Sequence, residues 1–530
     1  MSTPLMQRTW SSVQERVLIP TALAVLSTAC SFSEKAVVKA LSHLSHGKLT
    51  IETPSGVHVF PSHPASDAVA DASMLSAELK VADPRFWFRV AMMGDLGFAE
   101  AYMYGELLLA NRACLTALES PLTRSGRLKL FVQPSLSFFS ARVVDALVTA
   151  RQNISAHYDI SNAMFSGSSA STHAQANGRP SQSFESEEPG KGSIGGYEAE
   201  DDEEEENEED EEEHALHDAQ MRKLRHIIRR ADIRPGHRVL EIGTGWGSLA
   251  LLIAGTILRT HVDTLTLSEE QASLARERVR AAGLDADGEG YGEEPGSWTC
   301  GGFCETSPPS DKPERNGASC VCVEKAREEG KDRRGTVRVH LLDFRAMPAE
   351  WAGRFDRVVS VEMVEAVGKD GLETYWSQID WALKPDTGAG VVQSITLPEA
   401  RFDSYVNDTD FLRKWVLFPG GFLPTLALLV ASMTAGAKGR LVVEGVENIG
   451  PHYARTLRTW RSRFERRFDA WIAPALREEH PKMCDQEVEM FGRKWVYYFA
   501  YCEIGFTSRA LGDHIVTFTR EGNIELGCQM

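Results

Sequence analysis

The chain has 530 residues, of which 42% are hydrophobic, and this length exceeds the size at which one core keeps growing, so we expect two domains. Its formal net charge is −18, but Glu198, Glu200 and 201–213 hold fourteen acids and no base, and without them the charge is about −4. The acidity is therefore local, and it argues against general nucleic-acid binding.

The cysteines and the apolar runs indicate the compartment. Nine scattered cysteines, an odd number, are typical of a reduced, intracellular protein. The apolar runs 17–30 and 424–437 are shorter than the roughly 20 residues that a membrane-spanning helix needs, and the first lacks the flank and cleavage site of a signal peptide. We therefore expect a soluble, cytoplasmic protein whose association with a membrane is peripheral.

Residues 1–150 predict a small α+β domain. Strand-like segments at 48–51 and 57–60 precede helical segments at 86–108 and 141–148. Aromatic residues and methionines are frequent just before and within the first helical segment. Core packing is the ordinary explanation for them, and a lipid-facing surface is the alternative.

The next segments differ sharply in composition. NISAHYDISNAMF, residues 153–165, interrupts an apolar periodicity with polar side chains and reads as a helix start. Residues 166–213 are rich in Ser, Gly and acids, so we expect them to be disordered. A helix is predicted over 214–230, where Leu216, Leu224 and Ile228 are spaced to face a core.

A glycine-rich turn organises the rest of the chain. The apolar run 239–242 predicts a buried parallel strand, and helical spacing resumes at Ser248. Gly243, Gly245 and Gly247 between them permit a tight turn and a close approach of the backbone to a ligand. On this stretch alone, an ordinary strand-to-helix turn is an equal alternative.

Strands and helices alternate from residue 235 onward, which predicts a parallel sheet with right-handed crossovers. A polar insertion at 285–334 interrupts the pattern, and its four cysteines lack the paired spacing of a zinc site, so no metal is predicted. The hundred residues after the fifth strand are predicted to be mostly helical. The predicted strands are 239–242, 262–267, 337–342, 355–361, 389–397 and a late strand at 513–520.

Eight segments between 83 and 520 together resemble one known family: the S-adenosylmethionine-dependent cyclopropane-fatty-acyl-phospholipid synthases and the related mycolic acid cyclopropane synthases. The resemblance covers this range apart from the two polar insertions. It is carried by NISAHYDISNAMF, VLEIGTGWGSLA, TLTLSEEQ, HLLDFR, FDRVVSVEMVEAVG, FLRKWVLFPGGFLP, ENIGPHYARTLRTW and VYYFAYCEIGF.

The resemblance implies an α/β fold, namely a Rossmann-like class I methyltransferase domain at 214–530, with a doubly wound sheet and a helical acyl-binding insertion. A small α+β lipid-binding domain at 1–150 would precede it, and 151–165 would cover the cofactor. S-adenosylmethionine is the implied cofactor, and ligands of such sheets bind at the carboxyl ends of the strands. The implied binding residues are Tyr158, Gly243, Gly245, Gly247, Ser268, Gln271 and Asp343.

The family's catalytic base is thought to be a bicarbonate held by a glutamate, a histidine, a tyrosine and a cysteine. Glu365 in VEAVG matches the glutamate, and Tyr498 matches the tyrosine. Gln393 stands at the histidine position, where its amide can donate a hydrogen bond but cannot share a proton. The tyrosine, serine, cysteine segment expected after Phe165 is absent.

The implied reaction is transfer of a methylene from S-adenosylmethionine to the double bond of an unsaturated phospholipid acyl chain. A sphingolipid C9-methyltransferase or a methyl-branching enzyme is the alternative within enzymes. A non-catalytic lipid- or cofactor-binding protein is the alternative of another class. The arginines in 454–468 predict contact with anionic head groups at a membrane surface, against a solvated helix with ion pairs, and a homodimer is left open.

Overall fold

The computed structural model describes residues 19–43, 48–60, 76–109, 199–286, 334–416 and 421–526. The strands in this part of the chain are β1 (Lys48–Thr53), β2 (Gly56–Phe60), β3 (Ser76–Val81), β4 (Leu107–Leu109), β5 (Arg238–Ile242), β6 (His261–Thr266), β7 (Thr336–Leu341), β8 (Arg357–Val361), β9 (Ala389–Thr396), β10 (Leu441–Asn448) and β11 (Gly512–Arg520). The helices are α1 (Ile19–Leu41), α2 (Arg85–Met93), α3 (Asp95–Met103), α4 (Ala199–Arg230), α5 (Ser248–Thr256), α6 (Glu269–Ala281), α7 (Leu372–Ala382), α8 (Glu399–Asn407), α9 (Phe411–Trp415), α10 (Leu426–Gly436), α11 (Gly450–Arg467), α12 (Ala473–Glu479) and α13 (Asp485–Thr507).

The chain forms two compact units. The first comprises Met1–Ser169, Asp403–Pro419 and Pro451–Ala510, and the second comprises Ala170–Phe402, Gly420–Gly450 and Leu511–Met530. The domain boundaries expected from the sequence, 1–150 and 214–530, stay predictions.

The first unit contains a four-stranded sheet in the order β2-β1-β3-β4. β1 is antiparallel to β2 and parallel to β3, and β4 is antiparallel to β3. Phe86 and Trp87 of α2 are buried in one core with Ile51, Leu79 and Leu107 of the sheet. This sheet with its helices has the α+β character expected for the start of the chain.

The helix predicted over 86–108 is wrong in its extent. α2 ends at Met93, the following Gly94 has a backbone φ of +57°, and α3 ends at Met103. A φ in this range interrupts a right-handed helix, and glycine permits it at little cost. The predicted helix 141–148 and the segment 153–165 with Tyr158 lie outside the described residues.

The second unit contains a seven-stranded sheet in the order β10-β11-β9-β8-β5-β6-β7. The five strands from β9 to β7 are parallel, whereas β11 is antiparallel to β9 and β10 is antiparallel to β11. Hydrophobic cores cover both faces of the sheet, which explains why its strands are continuous apolar runs. This is a Rossmann-like, doubly wound α/β arrangement, so the predicted α/β fold class is confirmed.

Two features of the second unit differ from the sequence prediction. α4 begins at Ala199, so residues 199–213 are helical rather than disordered. Glutamate has a high helix propensity, and acids near a helix N-terminus interact favourably with the helix dipole. β10 lies in the stretch that was predicted to be mostly helical, and it pairs with β11 across about seventy residues of sequence.

Candidate active site

The glycine turn, residues 243–247, lies between β5 and α5 with all three glycines at positive φ. The φ angles are +100° at Gly243, +51° at Gly245 and +82° at Gly247. A Cβ added to Gly243 would lie 3.1 Å from the Cβ of Met363, and one added to Gly247 would lie 3.2 Å from the Cβ of Ala275. A Cβ added to Gly245 would meet nothing within 4 Å, so the turn faces open space there.

Glu241 lies in β5, two residues before Gly243, and was not among the predicted site residues. Its side chain is buried, and Oε2 accepts a hydrogen bond from Thr264 Oγ1. The hydroxyls of Thr264 and Thr244 are also 2.8 Å apart, which links β5, the glycine turn and β6. Burial raises the pKa of Glu241 to about 8, so this acid is mostly neutral at pH 7. An acid inside an otherwise apolar strand was the available signal.

Ser268 and Gln271 lie where β6 passes into α6. Ser268 is the N-cap of α6, and its Oγ accepts a hydrogen bond from the backbone N–H of Gln271 at 3.2 Å. Gln271 Oε1 in turn accepts from Thr266 Oγ1 at 2.8 Å. β6 pairs with β5, so both residues lie beside the strand that carries the glycine turn.

Asp343 follows β7, as predicted, and caps a short 3-10 helix. The guanidinium of Arg345 binds its carboxylate, with Nε 3.0 Å from each oxygen, and this contact lowers the pKa of Asp343. The predicted residues Gly243, Gly245, Ser268 and Asp343 therefore lie along one edge of the sheet, where β5 to β9 end. We call this the carboxyl edge.

Glu365 lies at the carboxyl edge in a 3-10 turn after β8. Its Oε1 accepts hydrogen bonds from Ser394 Oγ at 3.0 Å and from the backbone N–H of Ile395 at 2.7 Å. Its Oε2 is buried and has no hydrogen-bond partner among the described residues. Burial, and to a smaller extent the charge of nearby Glu362, raise the pKa of Glu365 to about 7. Glu365 thus has one carboxyl oxygen that is hydrogen-bonded within the protein and one that has no hydrogen-bond partner among the described residues.

The side chain of Gln393 lies on the face of β9 opposite to that of Ser394, which binds Glu365. Neighbouring residues of a strand point to opposite faces, so Gln393 and Ser394 diverge. The Gln393 amide donates to Glu362 Oε1 at 2.8 Å and to Asp513 Oδ2 at 2.9 Å. Sequence reasoning did not place Asp513 in the site, because β11 joins the sheet from far along the chain.

Tyr498, the third predicted catalytic residue, lies on α13 in the first unit. Its ring contacts Trp495 edge-on, with centroids 5.1 Å apart. Its predicted catalytic role stays a prediction, as does that of Tyr158 in the cofactor site.

A family model described as mycolic acid cyclopropane synthetase matches residues 207–289 and 320–513. The chain belongs to this family. Family membership makes it an S-adenosylmethionine-dependent methyltransferase that modifies lipids, which confirms the resemblance and the predicted cofactor.

Curated relatives in this family differ in what their names say they do. The chain is 28% identical to the tuberculostearic acid methyltransferase UfaA1 of Mycobacterium tuberculosis, over 82% of this chain and 81% of the relative. It is 26% identical to the cyclopropane-fatty-acyl-phospholipid synthase of Escherichia coli K12, over 84% and 88% of the two chains. A solved structure of the cyclopropane synthase MmaA2 from M. tuberculosis covers 57% of this chain and 85% of its own, with 19% identity and a TM-score of 0.39.

The described residues contain no helix that is long and apolar enough to cross a membrane. Among those same residues, no group of three or more His, Cys, Asp or Glu side chains is arranged to hold a metal ion.

Proposed function

We propose that this methyltransferase acts on the double bond of an unsaturated phospholipid acyl chain and forms a cyclopropane fatty acid. The observation that carries the proposal is the environment of Glu365 at the carboxyl edge. Its Oε1 accepts hydrogen bonds from Ser394 and Ile395, and its Oε2 is buried without a hydrogen-bond partner among the described residues. An alkene is a weak nucleophile, and the cation formed from it must be kept from water and then lose a proton. A buried carboxyl group with one oxygen that lacks a partner among the described residues is shielded from water and can hold the base that takes up this proton.

The residues of the glycine turn fit S-adenosylmethionine. The open space beside Gly245 admits a ligand to the backbone, and the N-terminus of α5 presents unpaired N–H groups to a carboxylate. Ser268 and Gln271 would hold the ribose from the adjacent strand, and Asp343 would meet the adenine once Arg345 releases its carboxylate. When bound, the cofactor supplies an electrophilic methyl group on a sulfonium.

Glu365 has a holding role in this proposal. Ser394 Oγ and the Ile395 N–H orient its carboxyl group, so Oε2 has a defined direction. Phe422 donates its backbone N–H to the Glu365 carbonyl at 2.9 Å, which ties the FPGGFLP segment to the same turn. A bicarbonate bound at this position would hydrogen-bond to Oε2 of Glu365.

Methyl branching without ring closure is the second candidate. The relative named tuberculostearic acid methyltransferase supports it, because it matches this chain over four fifths of its length. A sphingolipid C9-methyltransferase from Emericella nidulans, 24% identical, matches only 58% of this chain and 47% of its own.

Mass spectrometry of phospholipids from a host that expresses the protein separates these functions. A cyclopropane adds CH2 to the acyl chain and keeps its unsaturation equivalent, whereas a saturated methyl branch removes that equivalent. We expect the cyclopropane product from the wild type and a loss of about a hundredfold in Glu365→Gln. Glu373→Gln is the matched control, since Glu373 is an exposed acid in the first turn of α7. Wild-type yields from both variants would contradict the role of Glu365.

Access to phospholipid implies peripheral contact with a membrane from the cytoplasmic side. Within the arginine-rich helix α11, Arg458 and Arg461 form ion pairs with Glu503 at 2.8 and 3.2 Å, and Arg463 is buried. These contacts support the ion-pair explanation for part of the helix. Arg455 and Arg466 are exposed, and we propose them as head-group contacts. Homodimer formation stays a prediction.

A further inference from the structure

Helix α6 carries three arginines, and one of them is buried beside the glycine turn. Arg278 is 4% exposed, whereas Arg276 and Arg280 lie on the exposed side of the helix. The guanidinium Nη1 of Arg278 donates a hydrogen bond to the backbone carbonyl of Trp246 at 3.0 Å. Its Nε and Nη2 are buried and have no hydrogen-bond partner among the described residues. Arg278 therefore contacts the turn through one nitrogen and holds unpaired N–H groups next to it.

The contact from Arg278 lies at the end of the turn that leads into α5. Trp246 is followed by Gly247, which is the N-cap of α5 and has a φ of +82°. A Cβ added to Gly247 would lie 3.2 Å from the Cβ of Ala275, so α6 packs closely against the same place. Because the backbone beside a glycine is conformationally free, the guanidinium limits the orientation of the Trp246–Gly247 peptide. It thereby limits the direction of the first N–H groups of α5, which no carbonyl of that helix can accept.

The charge of Arg278 is not matched by an acid in the core of the protein. Among the described residues Arg278 forms no ion pair, and burying a cation without an acidic partner is costly. Burial lowers the pKa of Arg278, and the charge of Glu277 opposes this effect. The N-terminus of α5 also carries a partial positive charge. An anion bound at this helix end would interact favourably with both positive groups.

We propose that Arg278 is a positioning residue for the carboxylate of S-adenosylmethionine. It orients the Trp246–Gly247 peptide so that the N–H groups at the start of α5 point at the carboxylate, and its positive charge adds to that of the helix N-terminus. This inference rests on the placement of the cofactor at the glycine turn under the proposed function. In this role the guanidinium acts through the turn, so its loss should weaken cofactor binding without slowing the chemical step.

The test compares Arg278→Met with Arg280→Met in the full-length protein. Both variants remove one positive charge from α6, but Arg280 is exposed and its Nε donates to the carbonyl of Arg276 in the same helix. Isothermal titration measures the affinity for S-adenosylmethionine and for its decarboxylated analogue. We expect Arg278→Met to bind S-adenosylmethionine about tenfold more weakly than the wild type, because a hydrogen bond from a charged group is lost. Its affinity for the decarboxylated analogue should stay within about twofold of the wild type, and Arg280→Met should match the wild type with both ligands.

Two further measurements distinguish positioning from support of the fold. Arg278→Lys keeps the positive charge, so it should bind S-adenosylmethionine more tightly than Arg278→Met. In Arg278→Met the KM for S-adenosylmethionine should rise about tenfold, while kcat stays within about twofold of the wild type. Wild-type affinity for S-adenosylmethionine in Arg278→Met would overturn the inference, and so would an equal loss of affinity for both ligands. The titrations need no lipid, so failure of the proposed function would appear separately, as a wild type that binds the cofactor and forms no cyclopropane product.

Discussion

Replacing Gly245 by alanine tests the proposed cofactor site, and the same replacement at Gly236 is its matched control. Gly245 has a φ of +51°, and its added Cβ would meet nothing within 4 Å. Gly236 has a φ of +85° and equally open space around its Cβ, but it lies before β5, at the opposite end of the strand. Alanine at either position costs about 1–2 kcal/mol of backbone strain. Both variants should therefore melt a few degrees below the wild type, at roughly 2–4 °C per kcal/mol.

Only Gly245→Ala should weaken the binding of S-adenosylmethionine, since its methyl group enters the space that we propose for the cofactor. Overfilling a close contact costs about 1–3 kcal/mol. Each 1.4 kcal/mol is tenfold in affinity, so the dissociation constant should rise by about ten- to a hundredfold. Isothermal titration measures it directly, and the rise in melting temperature on adding cofactor provides a second readout. Equal affinities in the two variants would refute the assignment of the glycine turn, whatever their melting temperatures.

Three further predictions concern other parts of the molecule. Glu365 has a pKa of about 7 in the folded state against 4.5 ordinarily, so wild-type stability should fall between pH 5 and 8. In Glu365→Gln, the free energy of unfolding should fall over this pH range by up to about 3 kcal/mol less than in the wild type. If the melting temperatures of the two proteins fell equally with pH, the raised pKa of Glu365 would be contradicted. Asp380 is buried and binds Arg520, so Asp380→Ala should destabilise the protein by about 3–5 kcal/mol in thermal unfolding; a melting temperature within a degree of the wild type would speak against that network. The double variant Arg455→Glu, Arg466→Glu should float less with anionic liposomes at low salt, and unchanged flotation would remove α11 from the membrane surface.

Local sequence was sufficient for the parallel part of the second unit and for its carboxyl edge. A strand buried on both faces is a continuous apolar run, and the residue after such a run necessarily lies where the strand ends. Gly243, Ser268, Asp343 and Glu365 could therefore be assigned to one edge before any contact was known. The acidic stretch before residue 214 was misread, since composition alone did not show that a helix anchored at 214–230 continues backward through glutamates.

Only the tertiary structure shows which side chains the residues at this edge contact. Glu365 contacts Ser394 and Ile395 about thirty residues away, whereas Gln393 contacts Asp513 at a separation of 120 residues. Adjacent side chains of β9 diverge because a strand alternates its faces, and the partner on each face is set by the register with β8 and β11. A single-residue shift of that register would exchange the two faces. The sequence of neither segment alone determines which register the folded sheet adopts.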